Sequence, residues 1–425
     1  MRTRKKLLFR LLALLAAFGL IAAACGDDDG DDGDDADTGS EETDGGEESS
    51  GDALVIGQIG PETGALAFLG PPQFEGFALA IEDINEAGGV LDAEVETVIG
   101  DEGGDAAIVR ESANRLLGEG AHAIVGAASS GMSQEIIQSL SDQGIPQCSP
   151  SNTSPAFSDQ ENADFYFRTV PPDEAVAPII ADEIIADGHT RVAIAARADD
   201  YGNALGDLIG GALTDAGAEV EVTTYDTEAP NFDDVVLAIG NYAPDAVVLV
   251  SFDEGAEIIT RAIEAGVSPE VMYGGDGIFF PGLAELVDPS NPNVVDGMKL
   301  IGASGGQEFN ERLTERTEGN LIYGGQAYDC AIVIALAAEA AGSTDGQAII
   351  DEVANVTSGG TVCETFADCK ELLADGEDID YDGVSGPLDL DDVGDPAFGR
   401  YAIAQFQEGE LVPVGEQDVD LSSLG

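Results

Sequence analysis

Two hydroxyl-rich segments and one isolated acid are the groups in this chain best suited to chemistry. Residues 129–131 read Ser-Ser-Gly and residues 151–153 read Ser-Asn-Thr. Their hydroxyls and exposed amides are able to hold a carboxylate without a lysine or an arginine. Asp276 lies in a Gly-Gly-Asp-Gly turn and suits an ammonium group, because a desolvated charge requires a counter-charge. The same residue types also serve as helix caps and turn residues, so the alternative is a purely structural role.

The sequence lacks the motifs of a cofactor-dependent or zinc enzyme. Its first glycine-rich loop, with Gly57, Gly60 and Gly64, does not follow the dinucleotide pattern G-x-G-x-x-G. His122 precedes a strand and His189 lies in a Gly-His-Thr turn, so neither resembles a general base with a partner. No HExxH motif occurs, and no His lies near a Cys at zinc-ligand spacing. We therefore predict a binding protein that is not an enzyme and has no metal or cofactor.

Strand and helix patterns alternate along the chain, which predicts how these groups are positioned. Apolar runs predict strands over 53–59, 93–99, 122–125 and 145–148, and helical periodicity predicts helices over 73–87, 105–118 and 133–143. A second alternating series follows the pair Pro171-Pro172 and continues to residue 273, with predicted strands that include 219–225 and 246–250. We predict an α/β fold of two doubly wound parallel-sheet lobes joined by a hinge. Lobe one comprises 53–169 plus 302–385, and lobe two comprises 170–301 plus 386–425, with a hairpin over 386–407.

The candidate polar groups follow predicted strands, at the ends where ligands bind. In parallel α/β sheets, ligands lie beyond the carboxyl ends of the strands, where helix N-termini present free amides. Residues 129–131 and 151–153 follow strands of lobe one, and Asp276 follows a strand of lobe two. Each lobe would therefore contribute one half of a site for a small zwitterion, and only closure of the two lobes would complete it.

The ordered set of motifs resembles the leucine/isoleucine/valine-binding protein family, the solute-binding subunits of bacterial ABC importers. The likeness spans roughly residues 53–406 and rests on segments 56–89, 124–130, 144–155, 167–169, 200–202 and 383–389. The resemblance implies the type I periplasmic-binding-protein fold. It also implies a small zwitterionic ligand and ABC permease subunits as partners.

The resemblance also implies roles for individual residues. Ser130, Ser151 and Thr153 correspond to positions that grip the ligand carboxylate, and Asp276 to the acid that receives the α-ammonium. Tyr201 and Phe252 correspond to aromatic side chains that close over the ligand from lobe two. Asn152 is included in the ligand-binding set, although the family often has a smaller residue there. Either Phe68 or Leu69 corresponds to an aromatic position in the first loop.

Residues 1–24 have the pattern of an export signal. Five basic residues precede an uncharged apolar run that is shorter than the roughly 20 residues of a membrane span. The run ends in Ala-Ala-Ala before Cys25, which resembles a bacterial lipoprotein signal whose cysteine is lipidated; an ordinary secretory signal is the alternative. Residues 25–52 are almost wholly Gly, Asp, Glu, Ser and Thr, which predicts a disordered acidic tether. The predicted location is extracytoplasmic, on the cell membrane through a lipid anchor.

The remaining four cysteines fit an oxidising compartment. Four cysteines allow three pairings. Cys363 and Cys369 are close in sequence and flank a small loop, so we favour that bridge, with Cys148 and Cys330 as the second pair.

The composition excludes some partners and leaves several ligands open. The chain has 16 Lys and Arg against 83 Asp and Glu, a formal net charge of -67. Nucleic-acid binding is excluded, because neutralising phosphates requires basic side chains. The acidity suggests a saline setting in which salt screens self-repulsion. We predict a receptor that captures branched-chain or other neutral amino acids for import; the alternatives are an amide or urea receptor of the same fold and a ligand sensor.

Overall fold

The computed structural model describes residues 53–158, 164–317 and 319–421. All of them belong to one compact unit. The predicted signal peptide 1–24, the proposed lipidation site Cys25 and the tether 25–52 lie outside the described residues, as do residues 422–425.

The first sheet contains five short parallel strands in the order β2-β1-β3-β4-β5. The strands are β1 (Val55–Gly60), β2 (Glu96–Asp101), β3 (Ala123–Val125), β4 (Gln147–Ser149) and β5 (Tyr166–Arg168). The helices between them are α1 (Gly70–Glu86), α2 (Ala106–Gly118), α3 (Ser130–Gln134) and α4 (Ile137–Ser141). Because β1 and β3 to β5 are largely buried, most of their residues are apolar or small, and their polarity does not alternate.

The second sheet has five parallel strands and a C-terminal hairpin of β14 (Phe398–Gln407) and β15 (Glu410–Asp420), in the order β15-β14-β10-β9-β8-β6-β7. The five parallel strands are β6 (Arg191–Arg197), β7 (Glu219–Tyr225), β8 (Ala246–Val250), β9 (Met272–Gly274) and β10 (Lys299–Ala303). The associated helices are α5 (Asp173–Ala186), α6 (Asp200–Asp215), α7 (Asp233–Tyr242), α8 (Gly255–Glu264) and α9 (Leu283–Val287). These two sheets confirm the α/β prediction of parallel-sheet lobes.

The chain then adds helices beside the first sheet and a small third sheet. The helices are α10 (Gln307–Thr317), α11 (Gly324–Ala341), α12 (Gly346–Val356) and α13 (Phe366–Ala374). The small sheet comprises β11 (Thr361–Cys363), β12 (Ile379–Gly383) and β13 (Gly386–Pro387). The apolar helix α11 is buried over most of its length and packs in one hydrophobic core with α1 and residues of β1 and β3.

Two predicted elements differ from the structure, and one strand of the first sheet was missed. The C-terminal hairpin is formed by β14 (Phe398–Gln407) and β15 (Glu410–Asp420), so the predicted hairpin over 386–407 begins too early. The predicted helix over 133–143 is two short helices, α3 and α4. The strand β5 was not predicted, because three buried residues are too few to show a periodic pattern.

Both expected disulfides are formed. Cys148 of β4 is bonded to Cys330 of α11, and this bond ties the first sheet to the helix that covers it. Cys363 and Cys369 close the short loop between β11 and α13. The four cysteines are therefore paired as the sequence favours.

No single helix among residues 53–158, 164–317 and 319–421 combines the length and apolar character of a membrane span. Within these described ranges one pair of helices, α11 and α12, meets both criteria when taken together, with a bend of 107° between them.

Candidate functional site

A small cavity lies where loops that follow strands of the two large sheets meet. Its volume is about 20 Å³, which is room for about one water molecule. The lining residues are Leu66, Leu69, Ala128, Ser129, Ser130, Ser151, Thr153, Tyr201, Phe252, Asp276, Gly277 and Tyr323. A solute of amino-acid size therefore enters only if the two sides move apart or the lining side chains change conformation.

Hydroxyl groups from the loops after β3 and β4 form one side of the cavity. Ser130 begins α3, and Ser151 and Thr153 follow β4. The Ser151 hydroxyl donates to the Ala128 carbonyl at 3.1 Å and accepts from the Gln73 amide at 3.3 Å, so protein groups already engage it. Ser130 and Thr153 are buried and border the cavity. Their hydroxyls are therefore the best placed on this side to bind an anionic group.

Asn152 lies between two lining residues but does not line the cavity itself. Its side-chain amide donates to the carbonyls of Ala127 and Ala128 at 3.2 and 2.9 Å, and its Oδ1 accepts from the Tyr166 hydroxyl at 3.1 Å. The side chain is fully buried by these contacts. Asn152 therefore stabilises the loop after β3 through hydrogen bonds. Unlike the other predicted residues, it does not line the cavity.

The buried carboxylate of Glu102 holds the backbone next to Ser130 by hydrogen bonds. Oε2 of Glu102 accepts hydrogen bonds from the backbone amides of Ala128 and Ser129 at 2.6 and 3.3 Å. The expectation that the Ser129 amide is exposed for a ligand carboxylate is therefore wrong. Burial raises the pKa of Glu102 to about 7, although the two amide donors favour the ionised form.

Asp276 forms the opposite side of the cavity, two residues after the end of β9. Its Oδ1 accepts from the Tyr201 hydroxyl at 2.7 Å and from the Gly277 amide at 2.8 Å. Its Oδ2 accepts from the Tyr323 hydroxyl. Burial raises the pKa of Asp276, and the hydrogen bonds from Tyr323 and Tyr201 oppose that rise. A buried acid with these neutral donors is suited to receive a cation, since a charged partner would compensate its desolvation.

Two aromatic rings pack beside this acid: Tyr201, in the first turn of α6, and Phe252, in the loop after β8. Tyr201 stacks on Phe252 with ring centroids 5.3 Å apart. The guanidinium of Arg197 lies 3.5 Å from the Phe252 ring centroid and is held by ion pairs with Asp199 and Glu254. Both predicted aromatics therefore line the cavity, and Arg197 fixes the position of one of them.

A second buried acid lies close to the first. Asp173 begins α5, and its backbone amide donates to the Thr153 carbonyl at 2.8 Å. Its side chain is fully buried, and neither oxygen accepts a hydrogen bond of ordinary geometry from the described residues. Burial first, and then the charge of Asp276, raise the pKa of Asp173 well above its usual range. The nearby cation Arg168 is itself paired with Asp395 at 2.5 Å, so the cavity region has an excess of buried acid.

The remaining wall is apolar and comes from the loop after β1. Leu66 and Leu69 line the cavity, and both are buried. Phe68 instead stacks on Phe280 with ring centroids 4.1 Å apart. Of the two candidates for the first-loop position, the structure brings Leu69 to the cavity, and this wall favours an aliphatic group.

Six of the seven predicted ligand residues line the cavity: Ser130, Ser151, Thr153, Tyr201, Phe252 and Asp276. Two important residues were missed. Glu102 directly follows β2, which is the same positional signal that identified the other loops. Tyr323 precedes α11, and a long apolar helix gives no sign that the residue before it faces a site. No group of three or more His, Cys, Asp or Glu able to hold a metal occurs within the described ranges.

Comparison with known proteins gives consistent matches. A family model described as periplasmic binding protein matches residues 53–410. The Leu/Ile/Val-binding protein homolog 3 of Brucella melitensis biotype 1 is 23% identical over 368 residues, covering 84% of this chain and 93% of that protein. The chemotactic signal transduction system substrate-binding protein BasB of Halobacterium salinarum is 25% identical over 382 residues, covering 85% of this chain and 89% of that protein.

A solved structure shows the same fold. The branched-chain amino acid transporter substrate binding protein LivJ from Streptococcus pneumoniae, in complex with isoleucine, aligns with a TM-score of 0.71 at 20% identity. The alignment covers 87% of this chain and 99% of that chain. Together the matches confirm the resemblance drawn from the sequence. They also confirm the prediction of a binding protein rather than an enzyme, because the matched proteins are substrate-binding proteins.

Proposed function

Because the chain belongs to the periplasmic binding protein family, we propose that it captures a neutral amino acid outside the cytoplasm and delivers it to the permease subunits of an ABC importer. The amino acid would be held between lobe one, residues 53–169 plus 302–385, and lobe two, residues 170–301 plus 386–425. Branched-chain amino acids are the favoured ligands.

The observation that carries this proposal is that hydroxyl-bearing residues line one side of the cavity and an acid, Asp276, lines the other. Ser130 and Thr153 come from loops of the first sheet, and Asp276 follows a strand of the second. A zwitterion matches this arrangement, with its carboxylate toward the hydroxyls and its ammonium toward the acid. Because neither side alone binds both charges, the ligand stabilises the closed arrangement by its differential affinity for it.

The apolar wall supports an aliphatic ligand side chain. Leu66 and Leu69 offer only hydrocarbon to the cavity, and Phe252 adds an aromatic face. Burying a Leu-sized side chain against such a wall contributes roughly 1.5–3 kcal/mol. The Brucella relative is named a Leu/Ile/Val-binding protein homolog, and LivJ was crystallised with isoleucine. Both names agree with the preference for branched-chain ligands over amides or urea.

Membrane attachment through Cys25 is part of the proposal. The family supports a location outside the cytoplasm. The sequence supports export by residues 1–24, lipidation of Cys25 and a tether over 25–52 that holds the binding body away from the membrane. Expression in a bacterial host is expected to place the wild-type protein in the membrane fraction and Cys25→Ser in the soluble extracytoplasmic fraction. Equal membrane retention of both would remove the lipid anchor from the proposal.

Ligand sensing is the second candidate function. One relative is named a chemotactic signal transduction system substrate-binding protein, and the present chain covers 89% of it. The same cavity would then report amino-acid concentration to a signalling partner. Deleting the gene separates the two functions: an importer is required for uptake of labelled leucine, whereas a sensor is required only for the behavioural response.

Isothermal titration of the mature protein with L-leucine, L-isoleucine, L-valine, L-alanine, L-glutamine and urea tests the proposal. We expect the branched-chain amino acids to bind most tightly. Asp276→Asn should weaken leucine binding by about 30-fold or more, because it leaves a buried ammonium without its counter-charge. Asp207→Asn is the matched control and should bind leucine as the wild type does. Asp207 is an exposed acid on α6, the helix that follows β6 of the second sheet. Binding of urea alone, or unchanged affinity in Asp276→Asn, would contradict the proposal.

A further inference from the structure

Glu102 is a buried acid that contacts two cavity-lining residues but does not line the cavity itself. It directly follows β2, and its side chain is 0% exposed. Oε2 accepts from the backbone amides of Ala128 and Ser129, and both of those residues line the cavity. Oε1 is buried and accepts no hydrogen bond from the described residues. A carboxylate placed in this way is costly to bury, so it requires an explanation beyond simple packing.

The neighbouring acid, Asp101, stabilises a different loop from the one that Glu102 contacts. Asp101 accepts from the Glu62 and Thr63 amides and from the Thr63 hydroxyl, so it organises the loop after β1 near the surface. Glu102 instead organises the loop after β3. Asp101 is the ionisable group that acts on Glu102, and the donors to Glu102 from residues 126–131, none of which is charged, are the Ala128 and Ser129 amides.

We propose that Glu102 is a positioning residue for the ligand carboxylate: it holds the Ala128–Ser130 segment in its cavity-lining conformation, and its ionisation opposes binding of the carboxylate. This inference rests on the proposed function, because it requires an anionic group of the ligand on the Ser130 side of the cavity. Glu102 is not among the residues that line the cavity, so it does not contact the ligand. It acts through the backbone of two lining residues.

The sign of the effect follows from electrostatics. An ionised Glu102 places a negative charge behind the segment that faces the ligand carboxylate, and burial limits the screening of that repulsion. A protonated Glu102 still accepts both amide hydrogen bonds through Oε2 but no longer repels the ligand. Ligand binding therefore favours the protonated form. Because burial raises the pKa of Glu102 to about 7, the change of charge falls within the physiological range.

Two other acids near the cavity also titrate, so wild-type affinity alone does not isolate Glu102. Asp276 is the proposed receptor of the ligand ammonium, and the charge of Asp173 acts on Asp276, so protonation of these acids should weaken binding as the pH falls. Comparing the wild type with Glu102→Gln at each pH cancels these contributions, since both proteins contain the same two acids. The glutamine keeps an oxygen at the Oε2 position and places its amide at the unpartnered Oε1 position. It therefore mimics the protonated glutamate.

The experiment is titration of the mature wild type and of Glu102→Gln with L-leucine between about pH 5.5 and about pH 8.5, on either side of the raised pKa. At the acid end the two dissociation constants should agree. At the alkaline end Glu102→Gln should bind about tenfold more tightly for each unit by which the ligand carboxylate raises the pKa of Glu102. Glu102→Ala removes the acceptor for both amides and should weaken binding across the whole range.

The matched control is Glu96→Gln, which removes one charge from the exposed amino end of the same strand. Its affinity should follow the wild type at every pH. If the ratio of the leucine dissociation constants of the wild type and Glu102→Gln stays constant across the pH range, the electrostatic role is overturned. If Glu102→Ala is folded and binds leucine with unchanged affinity, the positioning role is overturned. Failure of the wild type to bind any amino acid would instead refute the proposed function, and with it this inference.

Discussion

The Tyr323 hydroxyl donates a hydrogen bond to Oδ2 of Asp276 and thereby joins the two sides of the cavity. Tyr323 immediately precedes α11, which packs beside the first sheet, whereas Asp276 follows β9 of the second. Tyr323 adopts a left-handed backbone conformation with φ of 61°, which is unfavourable for a residue other than glycine. The protein therefore links its two halves through the same carboxylate that we propose as the receptor of the ligand ammonium.

Tyr323→Phe should separate the contribution of this bond to stability from its contribution to ligand binding. The substitution leaves one buried carboxylate oxygen without its donor, which should lower the free energy of unfolding by about 1–3 kcal/mol. Leucine affinity should be retained or increased, because the ammonium no longer competes with the hydroxyl for Oδ2. Urea denaturation and isothermal titration measure the two effects.

Tyr381→Phe is the matched control for that experiment. The Tyr381 hydroxyl donates to Oδ1 of the buried Asp329 at 2.8 Å, and neither residue lines the cavity. This variant should lose a similar amount of stability and keep the wild-type leucine affinity. A loss of leucine affinity of more than about tenfold in Tyr323→Phe alone would show that the hydroxyl binds the ligand directly.

Asp173 should make the stability of the protein depend on pH. Its pKa is raised by burial first and then by the charge of Asp276, while the nearby Thr153 hydroxyl and the charge of Arg168 oppose the rise and Glu174 adds to it. A raised folded-state pKa contributes stability that is fully present below the unfolded pKa and is lost as the pH rises through the folded value. Asp173→Asn should remove this loss and become more stable than the wild type at neutral pH, by about 1.4 kcal/mol for each unit of the rise.

Urea denaturation of both proteins at several pH values measures the effect. Asp182→Asn, an exposed acid on the same helix α5, is the control and should reproduce the wild-type pH dependence. The account of Asp173 is wrong if Asp173→Asn is less stable than the wild type at neutral pH and keeps the same slope.

The two disulfides should contribute unequally to stability. Cys148 and Cys330 are separated by 182 residues, whereas Cys363 and Cys369 are separated by 6. The chain-entropy relation gives about 5 kcal/mol for the long loop and about 2 kcal/mol for the short one. Replacing both cysteines of each pair by alanine should therefore lower the denaturation midpoint more for the Cys148–Cys330 pair. Equal effects would indicate that loop entropy does not control their contribution.

Salt should stabilise this protein. The Lys and Arg side chains of the described residues all bond to carboxylate or carbonyl oxygens, and they are too few to pair with most of the acids. Raising NaCl from about 0.1 M to about 1 M shortens the screening length from about 10 Å to about 3 Å and weakens self-repulsion. The melting temperature should rise over this range. A melting temperature that is constant or falls would count against repulsion among the acids as a destabilising factor.

Much of the fold could be predicted because its local patterns agree with its topology. The predicted strands over 219–225 and 246–250 coincide with β7 and β8, since apolar or alternating runs bounded by turn residues leave little ambiguity. The start of α2 was also predictable, because Asp105 caps it through the Ala107 and Ile108 amides. The position of the C-terminal hairpin was not, since it depends on pairing with β10, a strand roughly a hundred residues earlier.

The site could be predicted in its residue types but not in its side-chain directions. Asn152 lies between Ser151 and Thr153, yet only the outer two line the cavity, while Asn152 bonds to the carbonyls behind it. Sequence position after a strand does not distinguish these orientations. Likewise, Tyr323 reaches Asp276 only because α11 packs beside the first sheet, a tertiary relationship with no local signal.

A crystal structure of the mature protein with L-leucine tests the central claim most directly. The account predicts one leucine molecule between the two lobes. Its carboxylate should lie within about 3 Å of the Ser130 and Thr153 hydroxyls or amides, and its ammonium within about 3 Å of Asp276. Leucine bound at any other place, with the two sides of the cavity unchanged and nothing between them, would contradict it.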